Sequence, residues 1–305
     1  MISELEKLAV MHGDRLTVIP INRLFELENL LDTYKQQADL NNFQQWIMDD
    51  LYQFELPDIE FSIKSIILVA IHHPFYAKVK FQKGAKEYNC LSLVKADFAE
   101  NEIYIRDIMK YNGFSLITAD NLPLKRLGVH SGLAKYGRNN ITYIDGLGSN
   151  FSYAAYFSDL PCEEDTWGEV MNANTCKACN LCINSCPTGA IRREQFLIDN
   201  QKCLSCLNEV PGDFPDWLPM TAHHTLYDCL ICQKVCPMNN KQKDYVLENI
   251  SFSEEETNLL LNGATISSFS DEMRQKVLLL GIDEWYDAIP RNLDTLFQLQ
   301  EHISD

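Results

Sequence analysis

The sequence predicts an α+β chain in three parts: a mixed α/β segment over 1–160, a cysteine-rich module over 161–240 and an acidic helical tail over 241–305. Three observations predict this. Helix and strand periodicities alternate through the first 150 residues, eight of the eleven cysteines are accounted for by two spaced runs and one of Cys203 and Cys206 between them, and the tail combines helical spacing with a large acidic excess. No internal repeat beyond the cysteine runs and no low-complexity linker is present.

Apolar residues at three- and four-residue spacing predict helices over Ile2–Met11 and Arg23–Gln37, the second with Leu24, Leu27, Leu30 and Leu31 as one stripe. Between them Arg15–Pro20 reads as a strand. Ser65-Ile-Ile-Leu-Val-Ala-Ile71 is an unbroken β-branched run that suits a strand covered on both faces, ended by His72-His73-Pro74 because proline cannot donate to the ladder. A helix is expected over Leu91–Tyr111, a strand over Phe114–Ala119 and another over Ile141–Ile144, which ends at the turn Asp145-Gly-Leu-Gly148. The tail reads as about three helices, with Ser253-Glu-Glu-Glu256 as a capping box and Pro290-Arg-Asn292 opening the last one.

Apolar and charged contents of 46% and 23% are those of a globular chain. The 43 acidic and 26 basic residues leave a formal charge of −17, and Val246–Asp305 alone carries 12 acidic and 3 basic side chains, a net −9. Such a field repels polyanions and anionic membranes, so tRNA is not expected as a partner, and neither is a membrane. Met1-Ile-Ser-Glu-Leu-Glu-Lys lacks the basic and apolar regions of a secretory leader, and no run approaches a bilayer span. With most cysteines in ligand-like runs rather than a disulfide scaffold, a reducing cytoplasm is expected.

The chemistry lies in Cys176-Lys-Ala-Cys179-Asn-Leu-Cys182-Ile-Asn-Ser-Cys186-Pro187 and in Cys229-Leu-Ile-Cys232-Gln-Lys-Val-Cys236-Pro237. The first is the C-x2-C-x2-C-x3-C-P run of bacterial ferredoxins, in which three cysteines hold one [4Fe-4S] cluster and the fourth reaches a second. Zinc sites pair two separated C-x2-C knuckles and explain neither the third cysteine nor the two Cys-Pro endings. The exchange pattern assigns Cys176, Cys179, Cys182 and Cys236 to one cluster. It assigns Cys186, Cys229 and Cys232 to the other, together with either Cys203 or Cys206. Cys90 and Cys162 have no motif around them and read as small buried hydrophobes.

A second constellation runs Thr118-Ala-Asp120-Asn-Leu-Pro123, Ser131-Gly-Leu-Ala-Lys-Tyr-Gly137-Arg-Asn-Asn140 and Gly148-Ser149, where glycines let the backbone approach a ligand and Lys135 and Arg138 add positive charge. Read alone it is also compatible with plain turns. His72-His73 and His223-His224 read as solvated pairs, and Trp217 as packing beneath a loop.

The order of these motifs resembles that of epoxyqueuosine reductases and their iron–sulfur relatives, including the catalytic parts of reductive dehalogenases. The matching residues are Asp120 with Pro123, Ser131-Gly132-Leu133 through Gly137-Arg138-Asn139, Gly148-Ser149, Cys186-Pro-Thr-Gly-Ala-Ile191, Cys203, and Cys229 through Asn239. The resemblance implies a flavin-reductase- or nitroreductase-type α/β domain over 1–160, a two-cluster ferredoxin-like module over 161–240, and a cobalamin held by Gly132, Leu133, Gly137, Arg138, Asn139 and Ser149. It further implies Cys203 as the isolated eighth cluster ligand, Asp120 as the catalytic proton donor, and an external donor of ferredoxin or flavodoxin type. The implied activity is a reductive step, such as epoxide deoxygenation, on a small molecule or modified base. The alternatives are an electron-transfer or partner-binding protein without cobalamin, or an accessory reductase of a partner's corrinoid. Departures fall at Ser131 and Ala134, at the shortened spacing from Pro123 to Gly132, at Cys206-Leu-Asn-Glu209 and Phe214-Pro-Asp-Trp217, and in the acidic tail.

Overall fold

A computed structural model describes residues 1–305 apart from 75, 97, 194–196, 243, 244 and 305. The chain opens with α1 (Ile2–Met11), β1 (Arg15–Pro20), α2 (Asn22–Gln37) and the short α3 (Asn42–Trp46), whose Asn41–Gln44 capping box satisfies its first amides. Strands β2 (Ser65–His72), β3 (Tyr76–Lys83) and β4 (Lys86–Leu93) precede α4 (Phe98–Tyr111), β5 (Leu116–Thr118) and α5 (Leu124–His130). A small hairpin of β6 (Lys135–Tyr136) and β7 (Thr142–Tyr143) leads to β8 (Phe151–Ser158). The remainder holds three short helices, α6 (Leu181–Ser185), α7 (Leu204–Glu209) and α8 (Ile231–Lys234), then β9 (Val246–Phe252) and the helices α9 (Glu254–Leu261), α10 (Asp271–Leu279) and α11 (Ile289–Ser304).

The backbone divides into two units that cross the expected boundaries at 160 and 240. The first takes Met1–His73 and Ala96–Cys179, the second Pro74–Lys95 and Asn180–Asp305.

The first unit is organised on β2. Its sheet runs β1-β2-β8-β5 with every pair antiparallel. Alternate residues of β2 serve opposite cores: Ile67, Val69 and Ile71 pack with Leu5 and Ala9 of α1 and with Ile105 and Met109 of α4. Ile66 and Leu68 pack with Leu24, Leu27 and Leu31 of α2 and Leu127 of α5. Leu30, expected in the same stripe, is 45% exposed, because the residue before Leu31 is turned about 100° around the helix from it.

The second unit has the sheet order β4-β3-β9, an antiparallel hairpin with β9 added in parallel. Ala77, Val79 and Phe81 face inward while Lys78 and Lys80 face out. Phe81 stacks on Phe252 of β9 at 4.9 Å, and α9, α10 and α11 close the core beneath. Two expectations change here. Leu91–Leu93 extends β4 rather than opening a helix, which begins at Phe98 (residue 97 lies outside the described residues), and the tail is not wholly helical because Ile250 and Phe252 alternate into this core. The capping box at Ser253 and Glu256 and the proline in the first turn of α11 form as expected.

Ile67 is fully buried, whereas Ser253 caps an exposed helix end. In urea denaturation, Ile67→Ala should therefore lower stability by about 2–5 kcal/mol and Ser253→Ala by about 1 kcal/mol; equal losses would contradict this placement of the core.

Candidate functional site

In the first unit, Asp120 is exposed just past β5, where Ala119 N–H still donates to Ala155 O at 2.9 Å. Asn121 then takes φ 56°, a left-handed conformation asparagine tolerates, and its carbonyl accepts from the Gln53 amide at 3.0 Å. Pro123 precedes α5, whose seven residues, about 10 Å of helix, lie between Asp120 and Gly132 in the chain. Gly132 follows at φ 79°, exposed, with open space where a side chain would stand. Leu133 is half-buried against the α2–α5 core, and Ala134 is buried, its amide bonded to Gly128 O at 2.9 Å.

The β6–β7 hairpin fixes the rest of the loop. Gly137 N–H donates to Ile141 O at 2.8 Å, and a Cβ at Gly137 would meet the Tyr143 ring at 2.5 Å and Asn139 Oδ1 at 2.6 Å. Asn139 is buried and donates Nδ2 to Tyr143 Oη at 2.9 Å, so it shapes the turn. Arg138 donates to the Cys176 carbonyl at 2.8 Å. Ser149 is buried beside Gly148, whose φ is 62°. Lys125 reaches Asn140 O at 3.4 Å and Lys135 reaches Asp145 at 3.6 Å, so both bear on the loop.

Cys176 and Cys179 lie in the first unit; Cys182, Cys186, Cys203, Cys206, Cys229, Cys232 and Cys236 lie in the second. Within the second, α6 carrying Cys182 packs beside α8 carrying Cys232. The Cys186-Pro-Thr-Gly189 turn leads into a bridge between Ile191 and Ile198, and Asp199 O then accepts from the Cys203 amide at 3.1 Å. Cys186 and Cys203, on either side of that bridge, lie within electrostatic reach of Cys229, whose thiol is pushed up to about 12 chiefly by burial and further by both neighbours. Asn239 closes the last turn, its amide on Cys236 O at 3.0 Å and its side chain on Gln233 O at 2.9 Å.

Cys203 and Cys206 differ sharply. The Cys203 thiol is pulled below its usual range, first by the Cys206 thiol and then by the amides of Cys206 and Ser205 at the start of α7, despite burial. The Cys206 thiol is raised by donating to Cys203 and by burial. Beneath them Ser205 Oγ lies 2.9 Å from Glu209 Oε1 and 3.0 Å from Asp228 Oδ1. One hydroxyl proton cannot serve two carboxylates. Burial raises both acids; the Asp228 carboxylate raises Glu209 further, whereas the hydrogen bonds of Ser205 and Glu209 to Asp228 work to lower Asp228.

Among the described residues no three His, Cys, Asp or Glu side chains converge on a single-ion site. The all-thiol donor set in ferredoxin-type spacing suits iron–sulfur clusters. Three expectations are corrected. His73 is buried and pairs with Ser152 Oγ at 2.9 Å. His223 is buried against Phe214, which desolvates it and lowers its pKa to about 4, and His224 is partly buried with Nδ1 on Ala222 O at 2.8 Å; none of these three is solvated. Trp217 is 50% exposed, and Phe214 takes the packing place under the Arg291 guanidinium at 3.7 Å. Cys90 packs in the second unit's core and Cys162 donates to Val18 O at 3.3 Å, both as structural thiols.

Sequence reasoning missed a cavity of about 590 Å³ in the first unit, lined by α2 residues Glu28, Asp32 and Lys35 and by Tyr52, Gln53 and Phe54. Its wall joins the Asp120 loop through the Gln53–Asn121 hydrogen bond. These residues come from two distant segments without a shared motif, so nothing in the sequence paired them.

Residues 175–239 match a family described as a 4Fe-4S double cluster binding domain. The chain is similar to curated epoxyqueuosine reductases. That of Staphylococcus aureus is 30% identical over 245 residues, 73% of this chain and 61% of that protein. That of Bacillus subtilis is 28% identical over 218 residues, 64% of this chain and 54% of that protein. The chain thus spans less than two thirds of either relative. Among solved structures, a B. subtilis epoxyqueuosine reductase with its catalytic Asp loop swung out of the active site covers 97% of this chain and 82% of its own, at TM-score 0.63 and 18% identity. An epoxyqueuosine reductase with an epoxyqueuosine-modified tRNA-Tyr stem loop covers 97% and 81%, at TM-score 0.58 and 19% identity. The last structure overturns the expectation that tRNA is not a partner: a protein of this fold holds one. The tail's −9 counts residues 246–305 alone, and three of its glutamates, Glu248, Glu284 and Glu301, are paired with Lys78, Lys95 and Lys86 from outside it.

Because a Cβ at Gly137 has no room, Gly137→Ala should distort the β6–β7 turn and cost about 1–3 kcal/mol of stability, while Gly132→Ala, in open space, should cost only the strain of a positive φ; thermal denaturation of the two variants measures the difference.

Proposed function

We propose that the chain is an iron–sulfur oxidoreductase of epoxyqueuosine reductase type, which removes the epoxide oxygen from a modified base carried on tRNA. The observation that carries this reading is the joint presence, on one chain of that fold, of the double-cluster cysteine set and the Asp120–Pro123 turn. The antiparallel four-stranded sheet covered by helices on both faces supports a flavin-reductase-type reading of the first unit.

Opening an epoxide to an alkene consumes two electrons and two protons and releases one water. Single electrons from an external donor fit two clusters, one held by Cys176, Cys179, Cys182 and Cys236, the other by Cys186, Cys203, Cys229 and Cys232. Thiolates so held imply a reducing compartment. Cobalamin, when bound, supplies the strongly reducing centre that acts on the carbon–oxygen bond. Gly132 and Leu133 would bear on the corrinoid, with Gly137, Asn139 and Ser149 holding the loop's shape. Asp120 holds the proton destined for the departing oxygen. It is exposed here, where a bound substrate can reach it.

Anaerobic reconstitution tests the metal half. About eight irons and eight sulfides per chain are expected, and about four would reject two clusters. Cys203→Ser should impair one cluster, the same one as Cys186→Ser, while Cys206→Ser leaves both; the reverse would assign ligation to Cys206. Turnover of an epoxyqueuosine-modified tRNA stem loop by corrinoid-loaded protein, with a chemical reductant, tests the rest. Loss of one oxygen from the base is expected, and Asp120→Asn should slow it by roughly 10²-fold or more with clusters intact. Wild-type rates in that variant would remove Asp120 from the mechanism.

A further inference from the structure

We propose that Arg138 is a positioning residue for the turn that carries Cys176, and that its charge raises the reduction potential of the cluster Cys176 helps to hold. This rests on the two-cluster reading. The sequence resemblance placed Arg138 among corrinoid contacts, but its guanidinium donates to the Cys176 carbonyl at 2.8 Å.

The neighbouring backbone makes this contact part of a brace. Tyr136 N–H donates to Met171 O at 2.9 Å and Tyr136 O accepts from Ala173 N–H at 2.8 Å, so β6 holds residues 171–173 as an extra strand. The turn Asn174–Lys177 follows at once, with Cys176 N–H on Ala173 O at 3.0 Å. Arg138 then grips the far side of that turn. Its aim is set by the crowded Gly137 before it and by the buried Asn139–Tyr143 bond after it. From below, Arg126 lies 5.6 Å from the Tyr136 ring.

Cys176 is 8% exposed, so a guanidinium on its carbonyl acts across little solvent, whereas neighbouring Lys177 is exposed and screened. Reduction adds an electron to the cluster, and net charge and hydrogen bonding near the ligands set the potential. A fixed positive charge there favours the reduced form. Arginine suits the role because its planar fork keeps both charge and direction.

The experiment uses wild type, Arg138→Gln and Arg138→Lys, each reconstituted with iron and sulfide, in a redox titration followed by electron paramagnetic resonance. In Arg138→Gln the reduced-to-oxidised ratio of one cluster at fixed potential should fall about tenfold, equivalent to about 59 mV for one electron, with the other cluster unchanged. Arg138→Lys should recover most of that shift. Equal potentials in all three proteins, or equal shifts in both variants, would overturn the charge role. Should Arg138→Gln fail to assemble that cluster, its retention in Arg138→Lys supports the proposal, and its loss from both reduces Arg138 to a folding role and overturns it. Weakened corrinoid binding with unchanged potentials would return Arg138 to the pocket. Wild-type protein that takes up no iron removes the cluster reading itself, and this role with it.

Discussion

Cysteine-bearing turns cannot build a core of their own, and most of this structure answers that constraint. Between residues 174 and 236 the longest described helix is α7, with six residues, and its apolar cluster centres on Leu204, Leu218 and Ala222 alone. The turns are fastened from outside instead. Arg291 at the start of α11 stacks on Phe214 and bonds to the carbonyls of Leu207 and Gly212, while Asn292 bonds to Asn208 O at 2.7 Å. Tyr227 is buried and donates to Leu280 O, and Leu226 N–H joins the edge of β4 at Leu91 O. Each neutral bond contributes about 1 kcal/mol; their importance lies in fixing where thiols stand before any metal arrives. The tail therefore serves as the frame of the cysteine module, which explains why the second unit gathers β3, β4 and β9 with residues 180–305.

Much of the first unit was legible because its signals are local. The β-branched run of β2 and the spacing of Leu24, Leu27 and Leu31 each act within a few residues, as does the capping box at Ser253 in the second unit. The hairpin of β3 and β4 was equally local: Ala77, Val79 and Phe81 alternate with lysines and Gly84 turns at φ 61°. Its lysine-rich face disguised the period of two, and the helical spacing after Leu91 was extended backwards across the loop. Strand β8, which sits between β2 and β5, was missed because Tyr153-Ala-Ala-Tyr156 lacks the β-branched residues that usually announce a strand. Partners distant in sequence, such as Gln53 with Asn121 or Arg138 with Cys176, leave no trace in composition.

Charge shows the same limit. A net count treats every carboxylate as free, yet recognition of phosphate depends on which charges remain unpaired and where they lie. In the second unit, lysines from β3 and β4 reach into the tail: Lys78 meets Glu248 at 2.6 Å and Lys86 meets Glu301 at 3.7 Å. These pairs are exposed and contribute little to stability. They offset only part of the tail's net −9, with Lys95 and Glu284 making a third such pair.

Local geometry bears on the choice between Cys203 and Cys206 that spacing leaves open, and supports the proposed ligand Cys203. Both lie in a C-x2-C pair, and spacing alone gives either as a ligand. Cys203 stands just ahead of α7, with extended backbone at φ −67° and ψ 121°, where the helix's unpaired amides favour an anion at its sulfur. Cys206, one turn inside, has its proton held towards Cys203 and the negative field of Glu209 and Asp228 behind it. Ligation requires a thiolate, so the backbone favours Cys203 for the metal and leaves Cys206 as a donor to its sulfur. The acids beneath sharpen the contrast. Ser205 ties them together in a buried site where at least one keeps its proton, and a second free thiolate beside them would stand against an uncompensated negative cluster.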